Sequence, residues 1–345
     1  MLTKLIRVLG IVLIISFSVL NIFMSLITRD LDNQPHNQIF KKYFSYPSFF
    51  EDRFFDNRMK QTIGDNNFNK NIVLAEINDD SLHTLGRWPI PRKHWVTFTE
   101  KMYKFGAKVL VWDVFFAEPE VSCGNISPDK LLANSFTLFT SKPGNKIILP
   151  YKLNIDGTKT DREFEELPGE ILEFIMNSHA DQKSKLKNSS VSKDAYPLQE
   201  LLVENVGLAH IQATEDFDGI YRHYYLVRNI DDLYFPSFSL LAYQYFTNDS
   251  GILLHVHPPE EGGGGILKLK NGSLDVNDLG QAKVRWFGGE SSFPKVSIND
   301  IVQAADDDPK MKAIFKDNIV FIGSTAYGAH DLRHTPLHPQ MPGVY

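Results

Sequence analysis

The chain has 345 residues, of which 43% are hydrophobic and 23% charged, and its formal net charge is −6. This is ordinary globular composition, and the length allows one large domain or two modest ones. The acidic balance argues against a nucleic-acid-binding protein, which needs a basic face. The single cysteine, Cys123, cannot form an intrachain disulfide, and a domain of this size can bury enough surface without one.

An uncharged apolar run extends from Val8 to Ile27 near the N-terminus. As a helix it is long enough to cross a hydrocarbon core of about 30 Å. A cleaved signal peptide is the alternative, but its apolar region would be only about 7 to 15 residues long and would end in small residues. We therefore predict an uncleaved transmembrane helix. Lys4 and Arg7 precede it, so the excess of positive charge places residues 1–7 in the cytoplasm and the rest of the chain outside.

Residues 28–70 form an aromatic connector between this helix and the rest of the chain. Within it, Phe50, Phe54, Phe55 and Met59 are predicted to share one face of an amphipathic helix. Such a helix would either couple the membrane anchor to the following domain or only cover the core of that domain. Amphipathicity reports burial, so it does not distinguish between these two roles.

Residues 71–345 alternate between short apolar strands and helical patterns. The first unit consists of a strand at Ile72–Ile77, a helix that includes Trp95 and Phe105, and a strand at Val109–Phe116. The same patterns predict helices at 129–140 and 238–246 and strands at 146–153, 206–211, 224–228, 283–287 and 319–322. A polar stretch at 154–199 is predicted to be an exposed insertion. We therefore predict an α/β fold, with a mostly parallel sheet and helices on both faces, preceded by one N-terminal transmembrane helix.

Several polar residues follow the predicted strands. Ligands bind there in an open α/β sheet, because loops and helix N-termini converge at the carboxyl ends of the strands. If the strands are neighbours, carboxylates, arginines and hydroxyls meet on one rim, which is the candidate ligand or switch site. The candidate residues are Asp79, Asp80, Arg87, Trp88, Arg92, Asp113, Glu118, Asp218, Arg222, Ser324 and Asp331. None of them is assigned a catalytic role.

The same residues also allow a purely structural interpretation. Asp113 could be a buried acid neutralised by Arg87 or Arg92, a pair that would hold the adjacent turn in place without any ligand. Arg222, next to a predicted Asp-Phe-Asp-Gly turn, offers the same choice. Structural ion-pair networks often resemble functional clusters, so both interpretations stay open.

Other patterns give little support for a metal or phosphate site. His255 and His257 can share one face of a strand, but two ligands without a third make a weak metal site. The glycine run at 262–265 lacks the spacing of a phosphate-binding loop, and the segment 323–326 lacks the lysine of one. Three histidines after the last predicted strand repeat every four residues, but prolines within that segment prevent a continuous helix. We predict no metal site and no cofactor.

Three motifs occur in a fixed order along the chain. Residues 72–118 contain Asp-Ser-Leu, Leu-Gly-Arg-Trp-Pro, Pro-Arg and Gly-Ala-Lys, and then a strand with a central Asp; Glu118 at the end of this range is followed by Pro119. Residues 205–222 read NVGLAHIQATEDFDGIYR, and residues 319–344 read IVFIGSTAYGAHDLRHTPLHPQMPGV. Together they resemble the CHASE type 2 family of extracytoplasmic sensory domains in bacterial transmembrane receptors. Three ordered motifs are more specific than any one alone.

The resemblance implies an input module that senses an extracytoplasmic signal and passes it through the membrane to a cytoplasmic output. Adenylate or guanylate cyclases, histidine kinases, Ser/Thr kinases and diguanylate cyclases are outputs in the family, and a cyclase is favoured. It also implies that C-terminal transmembrane helices and the effector are absent from this chain, which is itself no enzyme. We expect an inner-membrane homodimer with a periplasmic main domain and an unidentified small-molecule or protein stimulus.

Two other functions are compatible with the residues. A membrane-anchored, metal-dependent hydrolase could use Asp79, Asp113 and Asp331, since clustered carboxylates suit hard cations. A structural protein of the cell envelope would use the domain only to dock a partner.

Overall fold

The computed structural model describes residues 15–16, 18–19, 46–61 and 70–345, the last range with gaps at 123–124, 156–161, 181–184, 259, 261–262, 287, 289–291 and 328–330. The chain divides into two compact units, residues 1–65 and 66–345. Most of the transmembrane helix predicted at 8–27 lies outside the described residues. Among the residues that are described, no helix combines the length and the apolar character needed to span a membrane.

In the first unit, helix α1 extends over Tyr46–Gln61, so a helix in the connector is confirmed. Its buried side chains include Asp56 and Met59, whereas Phe54 is 58% exposed. The prediction that Phe54 and Met59 share one buried face is wrong. At about 3.6 residues per turn, positions five apart are about 140° apart around a helix. The residue buried together with Met59 is instead Asp56.

The second unit alternates strands and helices. Its strands are β1 Ile72–Ile77, β2 Val109–Trp112, β3 Lys146–Tyr151, β4 Leu153–Asn154, β5 Asn177–His179, β6 Ser190–Val191, β7 Val206–His210, β8 Ala213–Thr214, β9 His223–Tyr225, β10 Val227–Ile230, β11 Leu233–Pro236, β12 Leu253–Val256, β13 Gly265–Leu269, β14 Gly272–Val276, β15 Gln281–Lys283, β16 Lys295–Ser297, β17 Ile319–Ser324, β18 Leu332–Arg333 and β19 Met341–Pro342. Its helices are α2 Asp79–Leu85, α3 Arg92–Phe105, α4 Pro128–Thr140, α5 Gly169–Leu172, α6 Phe238–Thr247, α7 Ile298–Gln303 and α8 Pro309–Phe315, with short 3₁₀ turns at Lys193–Ala195 and Gln199–Leu201.

Six strands form one sheet in the order β16-β1-β17-β2-β3-β7. All neighbouring pairs in it are parallel. β17 lies between β1 and β2, so that Phe321 pairs with Leu74 on one side and with Val111 on the other. The predicted mostly parallel sheet is confirmed. Its strands are nearly continuous apolar runs, as expected for a parallel sheet that is covered on both faces.

Helices pack on both faces of this sheet. On one face, α3 and α4 cover Trp112, whose ring centroid lies 5.3 Å from that of Trp95 and 5.6 Å from that of Phe136. On the other face, α6 packs against β2 and β3 through Phe238 and Leu241. The prediction of helices on both faces is therefore confirmed.

Helix α3 shows how the sequence dictates its own packing. Trp95, Phe98, Met102 and Phe105 recur every three or four residues, and all four are buried. The helix ends at Gly106, whose φ of 82° lies in the left-handed region that glycine adopts readily.

Several elements differ from the sequence predictions. β2 ends at Trp112 instead of Phe116, and the strand predicted at 283–287 is reduced to the last residue of β15. The stretch 154–199 is not a simple exposed insertion, because β4 pairs with β6 and Ile171 is fully buried. The sequence patterns do not predict α2, α7 and α8, since helices of only six or seven residues are too short to show a helical period.

A second, four-stranded sheet has the order β14-β13-β12-β5. In it, β5 runs parallel to β12, whereas β13 is antiparallel to both β12 and β14. It packs around its own cluster of buried residues, which includes Leu254, Leu267 and Val276.

Candidate functional site at the carboxyl edge of the sheet

The carboxyl ends of the parallel strands form one edge of the six-stranded sheet, which we call the carboxyl edge. The segments that follow β1, β17 and β2 emerge there side by side, because these three strands are parallel neighbours. In open α/β sheets this is where ligands bind. The sequence analysis predicted a shared site only if these strands are neighbours, and they are.

Asp79 and Asp80 begin helix α2 at this edge, and both are exposed. The helix is capped by Asn78, whose side-chain oxygen accepts a hydrogen bond from the backbone N–H of Ser81 at 2.9 Å. Asp80 accepts another from the side-chain amide of Asn299 at 3.2 Å. The helix dipole favours negative charge in the first turn, so a structural role accounts for both acids.

Arg87 and Trp88 lie in the turn between α2 and α3 and face solvent, with Trp88 47% exposed. Arg87 forms no ion pair with any residue in the described part of the chain. Of the two arginines suggested as structural partners of Asp113, Arg87 is therefore not one.

Arg92 is buried at the start of α3, and its partner is Asp129 instead of Asp113. Its Nε donates to Oδ1 of Asp129 at 2.6 Å, and its Nη2 donates to the carbonyl oxygen of Glu118 at 2.9 Å. The guanidinium also lies 4.6 Å from the ring centroid of Phe116. Asp129 is fully buried in the first turn of α4. The pair thus joins the starts of two helices. Arg92 therefore has the structural role considered from the sequence, but its partner is Asp129 and not Asp113.

Glu118 and Ser324 act through local geometry. The side chain of Glu118 is exposed, and its carbonyl oxygen is the atom that meets Arg92. The hydroxyl of Ser324 donates to the carbonyl oxygen of Ile77 at 3.3 Å and accepts from the backbone N–H of Ala326 at 3.3 Å. This hydroxyl therefore ties the end of β17 to the end of β1.

Asp113 follows β2 directly and faces the C-terminal part of the chain. Its backbone N–H donates to the carbonyl oxygen of Ile322 at 2.8 Å, which holds it beside β17. Burial, and after it the charge of Asp331, raises the pKa of Asp113 to about 6, while Arg333 acts in the opposite direction. A carboxyl group in this environment changes charge near neutral pH.

Asp331 forms an ion pair with Arg333, whose Nη2 lies 2.6 Å from its Oδ1. Nη1 of Arg333 donates to the hydroxyl of Tyr221 at 3.0 Å. Burial opposes the charge of Arg333, but Asp331 and Tyr221 outweigh it and raise the pKa of this arginine. Asp113, Asp331 and Arg333 therefore form a charged cluster with two acids and one base.

Arg222 is fully buried, and two acids neutralise it. Its Nη1 and Nη2 donate to the two carboxylate oxygens of Asp218, each at 2.8 Å, and Nη1 also donates to Asp216 at 3.0 Å. Such bidentate pairing compensates for the burial of a cation. The turn also meets the C-terminal part of the chain, because the backbone N–H of Tyr221 donates to the carbonyl oxygen of His334 at 2.8 Å.

Residues 331–345, which we call the C-terminal segment, lie across the carboxyl edge. β18 and β19 pair as an antiparallel hairpin within it. Val344 packs so closely on Gly323 of β17 that a Cβ there would collide with it, and Gly343 packs as closely on the carboxylate of Asp331. A side chain at either position would therefore have to displace its neighbour, Val344 at Gly323 or the carboxylate of Asp331 at Gly343.

The last residue of this segment, Tyr345, reaches β1. Its hydroxyl donates to Oε2 of Glu76 at 3.4 Å, and Thr325 donates to the same oxygen at 3.4 Å. Nζ of Lys295, on β16, lies 3.6 Å from this Oε2 of Glu76. A small pocket lies beside this contact, lined by Val284, Arg285, Trp286, Gly288, Ser292, Phe293, Met341 and Tyr345.

The structure thus brings some predicted residues together and leaves others apart. The charge of Asp331 acts on Asp113, Arg92 donates to the carbonyl oxygen of Glu118, and Asp218 and Arg222 pair within one turn. The sequence interpretation missed Glu76, Asp129, Tyr221, Lys295, Arg333 and Tyr345. Of these, Asp129 had a visible signal, since Ser127-Pro128 before it is a typical helix start.

The hydrolase alternative would need Asp79, Asp113 and Asp331 at one metal ion. The charge of Asp331 acts on Asp113, whereas Asp79 is exposed in the first turn of α2. In the part of the chain that the structure describes, no three His, Cys, Asp or Glu side chains are grouped so that they could hold a metal ion.

Comparison with known proteins gives one match. The family model described as CHASE2 domain matches residues 39–345. No curated protein and no solved structure matches the chain. The matched range covers the whole of the second unit, including the carboxyl edge and the C-terminal segment.

Proposed function

Because the chain belongs to the CHASE2 family, whose members are extracytoplasmic, non-catalytic sensory domains of bacterial receptors, we propose that it controls a cytoplasmic output through the C-terminal segment. In this proposal the carboxyl edge is the switch. An adenylate or guanylate cyclase is the favoured output, and histidine kinases, Ser/Thr kinases and diguanylate cyclases are the other classes.

The observation that carries this proposal is the position of the C-terminal segment on the carboxyl edge. The segment is held at three places. It packs on Gly323 of β17, it is tied internally through Asp331, and it is hydrogen-bonded to Glu76 of β1. Any change at the ends of these strands therefore changes how firmly the segment is held. A stimulus can only signal if it binds two conformations with different free energy, and a held and a released segment are two such conformations.

The charged cluster supplies the energy difference between the two conformations. Arg333 balances one carboxylate, so the second acid, Asp113, has no full compensation when it is ionised. A cation, a proton or a hydrogen-bond donor that reaches Asp113 stabilises the held segment. Loss of that ligand leaves two like charges facing each other, which favours release.

The proposal includes the membrane arrangement expected from the sequence. Residues 8–27 anchor the chain with its N-terminus in the cytoplasm, and residues 71–345 lie in the periplasm. The receptor works as a homodimer, since outputs of these classes commonly act in pairs. The stimulus is an extracytoplasmic small molecule or protein.

The variant Arg333→Gln tests this proposal. It removes the ion pair with Asp331 and weakens the contact with Tyr221, so it should shift the output of the receptor, or of the chain fused to an adenylate cyclase reporter. Membrane abundance, measured by immunoblotting, should not change. The matched control is Asp306→Asn, which breaks an exposed ion pair with Lys101 and Lys104 near the end of α3.

Two results would overturn the proposal. An output equal to wild type in Arg333→Gln, at normal abundance, would remove the C-terminal segment from the signalling path. An output that stays constant in every variant and under every condition would favour the structural docking protein.

A further inference from the structure

The four-stranded sheet brings together histidines that are far apart in the sequence. β5 runs parallel to β12 with His179 directly opposite His255. Residues in register on neighbouring strands point to the same face of a sheet. Accordingly, the two imidazole rings have centroids 5.1 Å apart and planes inclined by 43°.

His255 has an unused ligating atom. Its Nε2 is buried and has no hydrogen-bond partner in the described part of the chain. A ring nitrogen without a protein partner is one of the two histidine atoms that can bind a metal ion.

We propose that His179 and His255 bind a divalent transition-metal ion such as Zn²⁺, Cu²⁺ or Ni²⁺. Imidazole nitrogen is a preferred ligand of these ions. The sequence showed His255 and His257 as two ligands without a third, and the register of β5 supplies the histidine that pairs with His255. The described residues contain no group of three such ligands, so the proposed site rests on these two histidines.

This site is separate from the switch at the carboxyl edge, because β5 and β12 belong to a different sheet. Its occupation is measured as binding to the purified protein, without any signalling readout. Failure of this proposal therefore leaves the proposed function untouched, and the reverse also holds.

The test is isothermal titration of the purified full chain with Zn²⁺, Cu²⁺ and Ni²⁺ salts, for the wild type, His179→Ala and His255→Ala. Removing groups that only orient metal ligands costs about 10- to 100-fold in affinity, so loss of a ligand itself should cost at least about tenfold. His83→Ala is the matched control, since His83 is an exposed histidine on α2. Electron paramagnetic resonance of the Cu²⁺ complex should show coupling to fewer nitrogens in His179→Ala.

Lys268 gives a second test that does not alter either ligand. It is exposed, and its register opposite Leu253 places it on the same face of the sheet as His255. Its positive charge repels a metal ion bound there, so Lys268→Gln should strengthen metal binding. Equal affinity and stoichiometry in the wild type, His179→Ala and Lys268→Gln would overturn the proposal. Because His179 is exposed, its replacement by alanine should not impair folding, and the test holds even if His255→Ala is unstable.

Discussion

Replacement of Asp113 by asparagine should stabilise the protein at pH 7 and remove part of its pH dependence. The carboxyl group lies under the C-terminal segment, where burial and then Asp331 raise its pKa from 3.8 to about 6. Asparagine has nearly the same shape and cannot ionise. The variant therefore removes the charge while it leaves the packing in place.

The size of the effect follows from the difference between the two pKa values. Since the folded state binds this proton more tightly than the unfolded chain, Asp113 adds stability that is fully present below about pH 4 and is lost as the pH rises through about 6. At 1.36 kcal/mol for each pH unit, the loss is at most about 3 kcal/mol. The variant avoids this loss because it has no proton to release.

The assay is urea unfolding of the wild type and Asp113→Asn at several values between about pH 4.5 and about pH 8. The free energy of unfolding of the variant minus that of the wild type should increase by about 2 kcal/mol across this pH range. Asp306→Asn is the control, because hydrogen bonds from Lys101 and Lys104 lower the pKa of Asp306 to about 2, outside this range. A difference for Asp113→Asn that does not vary with pH would refute a buried, like-charged environment for this group.

Two further predictions concern the other contacts of the edge. Asp129→Ala leaves the buried guanidinium of Arg92 without its carboxylate, so it should lower the free energy of unfolding by about 3–5 kcal/mol. The double variant with Arg92→Met should recover most of this loss. Equal losses in the single and double variants would show that the ion pair is not the cause. Gly343→Ala places a methyl group against the carboxylate of Asp331, so hydrogen exchange of residues 331–345 should become faster. Gly169→Ala, where nothing lies within 4 Å of the added Cβ, should exchange there like the wild type, and equal protection in both variants would contradict the close packing.

The strands of the parallel sheet were predictable because their residues carry the signal themselves. Val109–Trp112 is apolar at every position and buried at every position. Such a run predicts both a strand and its location in the core of a parallel sheet. Helix α3 is predictable for the same reason, with a different period.

The contacts of the candidate site were not predictable in the same way. The charge of Asp331 acts on Asp113 because β17 lies beside β2, and nothing local to either residue indicates that coupling. Arg92 forms its ion pair with Asp129 because the first turns of α3 and α4 lie side by side. Likewise, His179 reaches His255 only through the register of two strands. Sequence patterns indicate which residues are buried or exposed, but partners are fixed by topology and register, which come from packing of the whole domain.

β17 lies between β1 and β2, yet it is synthesised after every other strand of the parallel sheet. Ile77 and Ser324, which pair across this junction, are 247 positions apart. Contacts this distant slow folding, because a long loop must close before they form. Until residues 319–324 arrive, β1 and β2 each keep an unpaired edge, which invites aggregation or proteolysis. A chain interrupted before β17 therefore cannot close its sheet, and the facing edges of β1 and β2 stay open to aggregation and proteolysis.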